Sequence, residues 1–186
     1  MSATIQPSTA DAQPAQPPVT VLVAGARDVF DTYDSKYDSD KRLCERDRGR
    51  IVARALYAAG VPQSAVSEVV HGANEGSPDI WGAAWAAQTD TDVRPFKPDW
   101  DDLSHPDAYI KEGKYGPYDA RAGPRRNEEM ADYVASTDGP SLLVAFWDGE
   151  SRGTSSMISL ARSRDIPVFT IRLDREGEAA AIVGGL

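Results

Sequence analysis

Short apolar runs rich in β-branched residues recur along this chain, and their spacing limits the fold more than any other feature. A short, nearly continuous apolar run is typical of a strand buried on both faces of a parallel sheet. The runs occupy residues 19–24, 65–70, 93–96, 141–147 and 166–173. Segments with helical spacing of apolar residues lie between them, over residues 41–59, 79–88, 124–136 and 154–164. Strands and helices therefore alternate.

This alternation predicts an α/β fold, a three-layer Rossmann-like doubly wound parallel sheet of about five strands. Parallel strands joined by helices need right-handed crossovers, which place helices on both faces of the sheet. Ligands of such sheets bind outside the carboxyl ends of the strands. We therefore expect the functional residues in the segments that follow the strands.

The length of 186 residues suits one domain. Residues 1–18 contain four prolines and little to bury, which predicts a disordered leader before a domain over residues 19–186. This leader lacks the basic and apolar regions of a signal peptide. Since no apolar run is long enough to cross a bilayer, we expect no membrane association.

The net charge of −9 argues against extended contact with a nucleic acid backbone. One cysteine, Cys44, excludes an internal disulfide and favours a reducing compartment, so we expect a cytoplasmic protein. Two distant histidines without paired cysteines predict no metal site. The composition leaves a homo-oligomer open.

Two segments depart from the alternation. Residues 99–122 hold proline, glycine, three tyrosines and many charges, and a long insertion after the third strand can be a lid over the ligand or a solvated surface loop. The two interpretations are equally favoured by the sequence. The tail from residue 174 contains a short alanine-rich piece that predicts a final helical turn.

The segments after the first two strands have the residue types of an anion site. Gly25 permits a tight turn and Arg27 offers a planar, five-donor fork to a phosphate. The loop of residues 71–79 enters a helix, with Ser77 as a candidate cap and Pro78 in its first turn. Its backbone N–H groups are expected to face an anion.

The strongest signal follows the fourth strand. Residues 148–154 form a glycine-rich and hydroxyl-rich turn that leads directly into a helix, a geometry that presents N–H groups and hydroxyls to a phosphate. It is not a Walker A motif, because no lysine follows the second glycine. A helix start at residues 122–127 adds Arg126 beside the positive end of a helix dipole.

Taken together, these motifs resemble the YspA/YpsA-like branch of the SLOG superfamily, Rossmann-like proteins related to the LONELY GUY phosphoribohydrolases and the lysine decarboxylase-like proteins. The resemblance covers about residues 19–173. The matching residues are Gly25-Ala26-Arg27, His71-Gly72 with Gly76 and Asp79, Trp81 and Trp85, Asp99-Trp100, Ala122-Gly123-Pro124-Arg125-Arg126-Asn127 with Met130, and Phe146 to Thr154.

The resemblance implies a sheet edge that binds a nucleotide or a nucleotide-derived ligand, with no further cofactor required. The residues expected to contact this ligand are Gly25, Arg27, His71, Gly72, Asn74, Gly76, Asp79, Arg126, Asn127, Trp147, Asp148, Gly149, Ser151, Gly153 and Thr154. Asn74 and Glu75 replace small and basic residues of the family pattern, and Ala120 replaces a common lysine.

Two functions follow from these observations. The first is a binding or sensing module for a nucleotide-type signal such as ADP-ribose. The second is a nucleotide N-glycosidic hydrolase, but the position of the phosphoribohydrolases' carboxylate is Met157 here, and a thioether neither moves a proton nor stabilises a cation. Weak catalytic candidates are His71, Glu75 and Asp148. A third alternative is an accessory protein with a degenerate site.

The tryptophans divide into two pairs. Trp81 and Trp85 are four residues apart on one predicted helix, which favours a place in the core. Trp100 and Trp147 lie near strand ends and are the better candidates for stacking on a base.

Overall fold

A six-stranded sheet forms the centre of the protein, and its spatial order is β3-β2-β1-β6-β7-β8. The computed structural model describes residues 17–26, 45–74, 77–173 and 179–184. The strands are β1 (Val19–Gly25), β2 (Val66–His71), β3 (Asp92–Pro95), β4 (Ile110–Gly113), β5 (Gly116–Asp119), β6 (Ser141–Trp147), β7 (Val168–Leu173) and β8 (Ala179–Gly184). The helices are α1 (Glu45–Ala58), α2 (Asp79–Thr89), α3 (Ala122–Ser136) and α4 (Arg152–Ser163).

Five strands of this sheet run parallel, which confirms the predicted fold class; they are β3, β2, β1, β6 and β7 in spatial order. Strands β2 and β3 follow β1 along the chain and lie on one side of it in the sheet. Helix α3 then leads to β6, which lies on the other side of β1. The strand order therefore reverses between β1 and β6. In open α/β sheets, a crevice for ligands opens at this point, outside the carboxyl ends of the strands.

Two apolar layers bury the two faces of the sheet. One layer joins α1 and α2 to the sheet and contains Trp81, Trp85 and Phe146, so the predicted core position of both tryptophans is confirmed. Trp81 meets the ring of Phe146 edge to face, with 5.3 Å between the centroids. The other layer joins α3 and α4 to the opposite face and contains Met130 and Met157.

The structure corrects one prediction about the irregular segments, the helical turn in the tail, and it gives the inserted segment a regular element. The alanine-rich tail forms β8, antiparallel to β7, in place of a helical turn, because pairing with β7 supplies the backbone hydrogen bonds that a helix would supply locally. The insertion at residues 99–122 contains an antiparallel hairpin of β4 and β5, whose register pairs Ile110 with Asp119.

The element boundaries shift by a few residues from those predicted. Helices α3 and α4 each begin two residues early, at Ala122 and Arg152, and β7 begins two residues late, at Val168. The first residues of the predicted helix 41–59, Cys44 among them, lie outside the described residues, as does the leader up to residue 16. Within the part of the chain that is described, none of the helices has the length and apolarity that crossing a bilayer requires.

Candidate functional site

The loops and helix starts at the carboxyl edge of the sheet bring most of the predicted ligand-binding residues to one side of the molecule. The segments that follow β1, β2 and β6 lie next to one another because these three strands are neighbours in the sheet. Three predicted residues, Arg27, Glu75 and Gly76, lie outside the described residues. No cluster of histidine, cysteine, aspartate or glutamate suited to a metal ion occurs among the residues that are described.

The turn after β6 is shaped by Asp148. Its Oδ1 atom accepts hydrogen bonds from the N–H groups of Glu150, at 2.9 Å, and Ser151, at 2.8 Å. Gly149, which lies between Asp148 and Glu150, has a φ of +89°, a backbone conformation that favours glycine. The indole N–H of Trp147 donates to the carbonyl of Ser151 at 3.2 Å. Asp148 therefore positions the turn, and its carboxylate is already engaged in doing so.

The turn leads into α4 through a hydroxyl cap. Ser151 is the N-cap residue, and its side chain accepts from the N–H of Thr154 at 3.5 Å. The hydroxyl of Thr154, a buried residue, lies 3.2 Å from that of Ser151. Gly153, between these two residues, has open space beside it, because a Cβ atom added there would meet no atom within 4 Å. The first turn of α4 is thus open to a ligand at Gly153.

Helix α3 begins beside α4, and Asn127 joins the two. Its Nδ2 atom donates to the carbonyl of Gly153 at 3.5 Å, and its Oδ1 atom accepts from Nε of Arg126 at 3.0 Å. The two segments that the sequence singled out most strongly, residues 122–127 and 148–154, therefore meet in space. Their N-terminal dipole ends point to the same edge of the sheet.

Arg126 itself is largely buried, with 11% of its side chain exposed. Its Nη1 atom donates to the carbonyl of Gly72 and, at 3.4 Å, to that of Phe96, so it ties α3 to the segments after β2 and β3. The same atom lies 4.0 Å from a carboxylate oxygen of Asp79. The structure thus gives Arg126 a role in positioning these loops, and direct contact with a ligand stays a prediction.

Asp79 opens helix α2 and is buried beside Arg126. Burial raises the pKa of Asp79 to about 6, against the opposing influence of the Arg126 charge, of the Ser77 hydroxyl and of the N–H groups of Asn74 and Gly25. The N–H of Asp79 itself donates to the hydroxyl of Ser77 at 3.2 Å, so the Ser77 side chain binds the first N–H group of the helix, although Pro78 and not Ser77 is the N-cap residue. Ser77 in turn donates to the carbonyl of Asn74 at 2.9 Å.

His71 ends β2 and is also buried. Burial lowers the pKa of His71, and the nearby charge of Arg126 lowers it further, so the ring is neutral at physiological pH. Its Nδ1 atom accepts a hydrogen bond from the N–H of Ala73 at 3.1 Å. The imidazole therefore shapes the turn that follows β2.

We expect the substitution Asp79→Asn to stabilise the protein at neutral pH but not at pH 4. The folded state holds the Asp79 proton up to a pKa of about 6, whereas the unfolded chain releases it near 3.8, so stability falls as pH rises through this window. Removing the charge should recover up to about 3 kcal/mol above pH 6.5. Urea unfolding of both proteins between pH 4 and 7.5 measures the difference.

The matched control for this prediction is Asp138→Asn, which changes an exposed carboxylate in the turn before β6. Its difference from the native protein should stay below about 0.5 kcal/mol at every pH. An Asp79→Asn protein whose difference from the native protein is the same at pH 4 and 7.5 would contradict the assignment of a buried, charged Asp79.

Sequence reasoning missed Arg172, the residue before the last in β7. The register pairs it with Trp147, and its Cζ atom lies 6.0 Å from the centre of the indole ring. A Cβ atom added to Gly149 would lie 2.5 Å from Nη2 of Arg172, so the guanidinium covers the turn that leads into α4. Its only signal in the sequence is a basic residue near the end of a predicted strand.

Met157, the residue that the resemblance matched to the phosphoribohydrolase carboxylate, lies in the apolar core. Its side chain is 1% exposed and belongs to the apolar layer between α4 and the sheet. A carboxylate at this position would be buried in that layer. The chain therefore has no acid group where the resemblance would place the catalytic one.

Comparisons of the chain with protein-family models, with curated proteins and with solved structures found no match. The fold and the site define the class by themselves: this is a Rossmann-like α/β protein. In it, two helix N-termini lie side by side where the strand order of the parallel sheet reverses.

Proposed function

We propose that the protein binds a nucleotide or a nucleotide-derived ligand, such as ADP-ribose, at the carboxyl edge of the sheet. One observation supports this more than any other. Helices α3 and α4 begin next to each other beside the point where the strand order reverses, with Asn127 bonded to the carbonyl of Gly153. Helix N-termini at this place in a Rossmann-like sheet suit the phosphate groups of a nucleotide.

The charge distribution favours local recognition of the phosphate. Because the whole chain has a net charge of −9, a nucleotide needs a concentrated positive potential to approach it. The N-terminus of α4 offers N–H groups, and the guanidinium of Arg172 lies over the turn that precedes it. Gly153 leaves the first turn open on the side where a phosphate can come close.

Binding without turnover fits the side chains of the site better than hydrolysis does. Met157 is buried at the position that the resemblance assigns to a hydrolase carboxylate, and the Asp148 carboxylate accepts two backbone hydrogen bonds. His71 is engaged with Ala73. We expect no free base after prolonged incubation with AMP, NAD or ADP-ribose, and release of base would contradict a pure binding module.

The substitution Gly153→Ala tests where the phosphate binds. A methyl group at this helical position should leave the protein as stable as before or more stable by about 0.5–1 kcal/mol, since alanine is the better helix former. In the ligand complex the same methyl group stands where the phosphate approaches. We expect the affinity for AMP and ADP-ribose to fall at least tenfold, as measured by calorimetry together with thermal unfolding.

The control is Ser159→Ala, in the middle of the same helix, where the hydroxyl donates to the carbonyl of Ser155. It improves helix propensity without approaching the site, so it should leave nucleotide affinity unchanged. The proposal is wrong if the native protein binds neither AMP nor ADP-ribose at millimolar concentration. The placement of the phosphate is wrong if the Gly153→Ala protein binds both as the native protein does.

A further inference from the structure

Trp100 is a large aromatic side chain that is held in place and yet exposed. It is the second residue of the inserted segment, residues 99–122, and 38% of the residue is accessible to solvent. Its carbonyl accepts a hydrogen bond from the N–H of Asp119 at 2.9 Å. The ring of Tyr118 meets the indole edge to face, with 6.2 Å between the centroids. Exposing a fixed tryptophan costs apolar stabilisation, so its position calls for an explanation.

The indole lies against the first turn of α3. A Cβ atom added to Gly123 would be 2.9 Å from Cη2 of Trp100, so the glycine makes this close approach possible. Gly123 precedes Arg126 by three residues and Asn127 by four, which places all three on one side of the helix. Trp100 therefore borders the same helix face that reaches Gly72 and Gly153 through Arg126 and Asn127.

The inserted segment is braced onto α3. Asp119 is fully buried and accepts hydrogen bonds from the N–H groups of Tyr109, at 2.7 Å, and Arg121, at 2.9 Å. The guanidinium of Arg125 bonds to Asp119 at 2.5 Å and to Asp107 at 3.0 Å. Burial works against a charged Asp119, yet these N–H donors and Arg125 hold its pKa below the usual value. The segment thus fixes Trp100 in advance of any binding event.

We propose that Trp100 is the surface on which the base of the ligand stacks, and that the ligand is therefore recognised by its aromatic ring as well as by its phosphate. This inference depends on the proposed function of the site. A nucleotide whose phosphate binds at Gly153, beside Asn127, has the indole one helical turn away on the same face of α3, where its base can reach. Because Trp100 is already ordered, stacking immobilises no further side chain of the protein.

The test compares a ligand that has a base with one that lacks it. The full chain is titrated by calorimetry with AMP and with ribose 5-phosphate, in the native form and as the Trp100→Leu, Trp100→Phe and Tyr115→Leu variants. Removal of a stacking aromatic typically weakens binding by about tenfold to a hundredfold. We expect Trp100→Leu to lose that much for AMP and nothing for ribose 5-phosphate, and Trp100→Phe to retain most of the AMP affinity.

Tyr115 is the matched control, an aromatic residue of the same inserted segment that is 94% exposed at the hairpin turn. Its replacement should change neither affinity. Unchanged AMP binding by Trp100→Leu would overturn the stacking role and leave the proposed function standing. Equal losses for both ligands would show that Trp100 only supports the fold, which also overturns it. Failure of the native protein to bind AMP would overturn the inference, and failure to bind ADP-ribose as well would overturn the proposed function.

Discussion

The substitution Arg126→Met should destabilise the protein by about 3–5 kcal/mol at pH 7.5, the usual effect of removing one partner of a buried charge pair. It leaves Asp79, 4.0 Å away, as a buried charge without its nearby cation. At pH 4 Asp79 is protonated in the folded state, since its pKa is raised to about 6. The loss should then shrink to about 1–2 kcal/mol, for the hydrogen bond to Gly72. Urea denaturation at both pH values measures this difference.

A double-mutant cycle separates charge from packing in this result. Asp79→Asn should stabilise the Arg126→Met protein more than it stabilises the native protein, because without Arg126 the charge on Asp79 costs more. Arg125→Met serves as the control, since that guanidinium bonds to Asp107 and Asp119 on another side of α3. It should show no coupling to Asp79. Absence of coupling between Arg126 and Asp79 would contradict the electrostatic explanation.

The second large effect is expected for Gly25→Ala, at the end of β1. A Cβ atom there would lie 2.7 Å from Cβ of Pro78 and 2.9 Å from the carbonyl oxygen of Phe146. A proline ring and a backbone carbonyl in a central strand have little freedom to move, so we expect a loss of about 3 kcal/mol. In a thermal scan this corresponds to a Tm lower by about 6–12 °C.

Gly153→Ala is the internal comparison for Gly25→Ala, because a Cβ atom at Gly153 meets no atom within 4 Å. The same chemical change should therefore be harmful at one glycine and harmless to stability at the other. Equal Tm values for the native and Gly25→Ala proteins would show that the start of α2 can move away from β1. That result would contradict the close packing seen at the carboxyl edge of the sheet.

The parallel strands and their helices were predictable because the pattern of apolar residues in each element reflects which of its residues are buried. Strand β1 is buried along its centre, from Thr20 to Ala24, and has the continuous apolar run that this environment selects. The hairpin of β4 and β5 has no such apolar pattern. All residues of β4 are exposed, and polar residues on a solvated hairpin show no alternation that distinguishes it from a loop.

Strand β8 shows a different limit of the sequence. Its residues Ala179–Gly184 begin with three alanines, and alanine is the best helix former. What makes the segment a strand is its partner β7, to which it pairs from Phe169 to Leu173. Local propensity cannot reveal a partner that only the folded sheet supplies.

The place of the candidate site was predictable, but the direction of its side chains was not. The rule for parallel sheets brought residues 122–127 and 148–154 to one edge, and the bond between Asn127 and Gly153 joins them. The sequence could not separate the roles of the adjacent Arg125 and Arg126. Arg125 holds the inserted segment through Asp119, whereas Arg126 donates to the loop carbonyl of Gly72. Arg172 needed the register of β6 and β7 to be noticed.

The pairing of β1 with β6 also determines when the centre of the sheet is completed during synthesis. Thr20 pairs with Glu68 on one side but with Ser141 on the other, so β1 leaves the ribosome about 120 residues before its second partner. Until then, the half-sheet of β1, β2 and β3 has an open apolar edge at β1, which invites incorrect association. We therefore expect chains that end before β6 to aggregate more readily than the full chain.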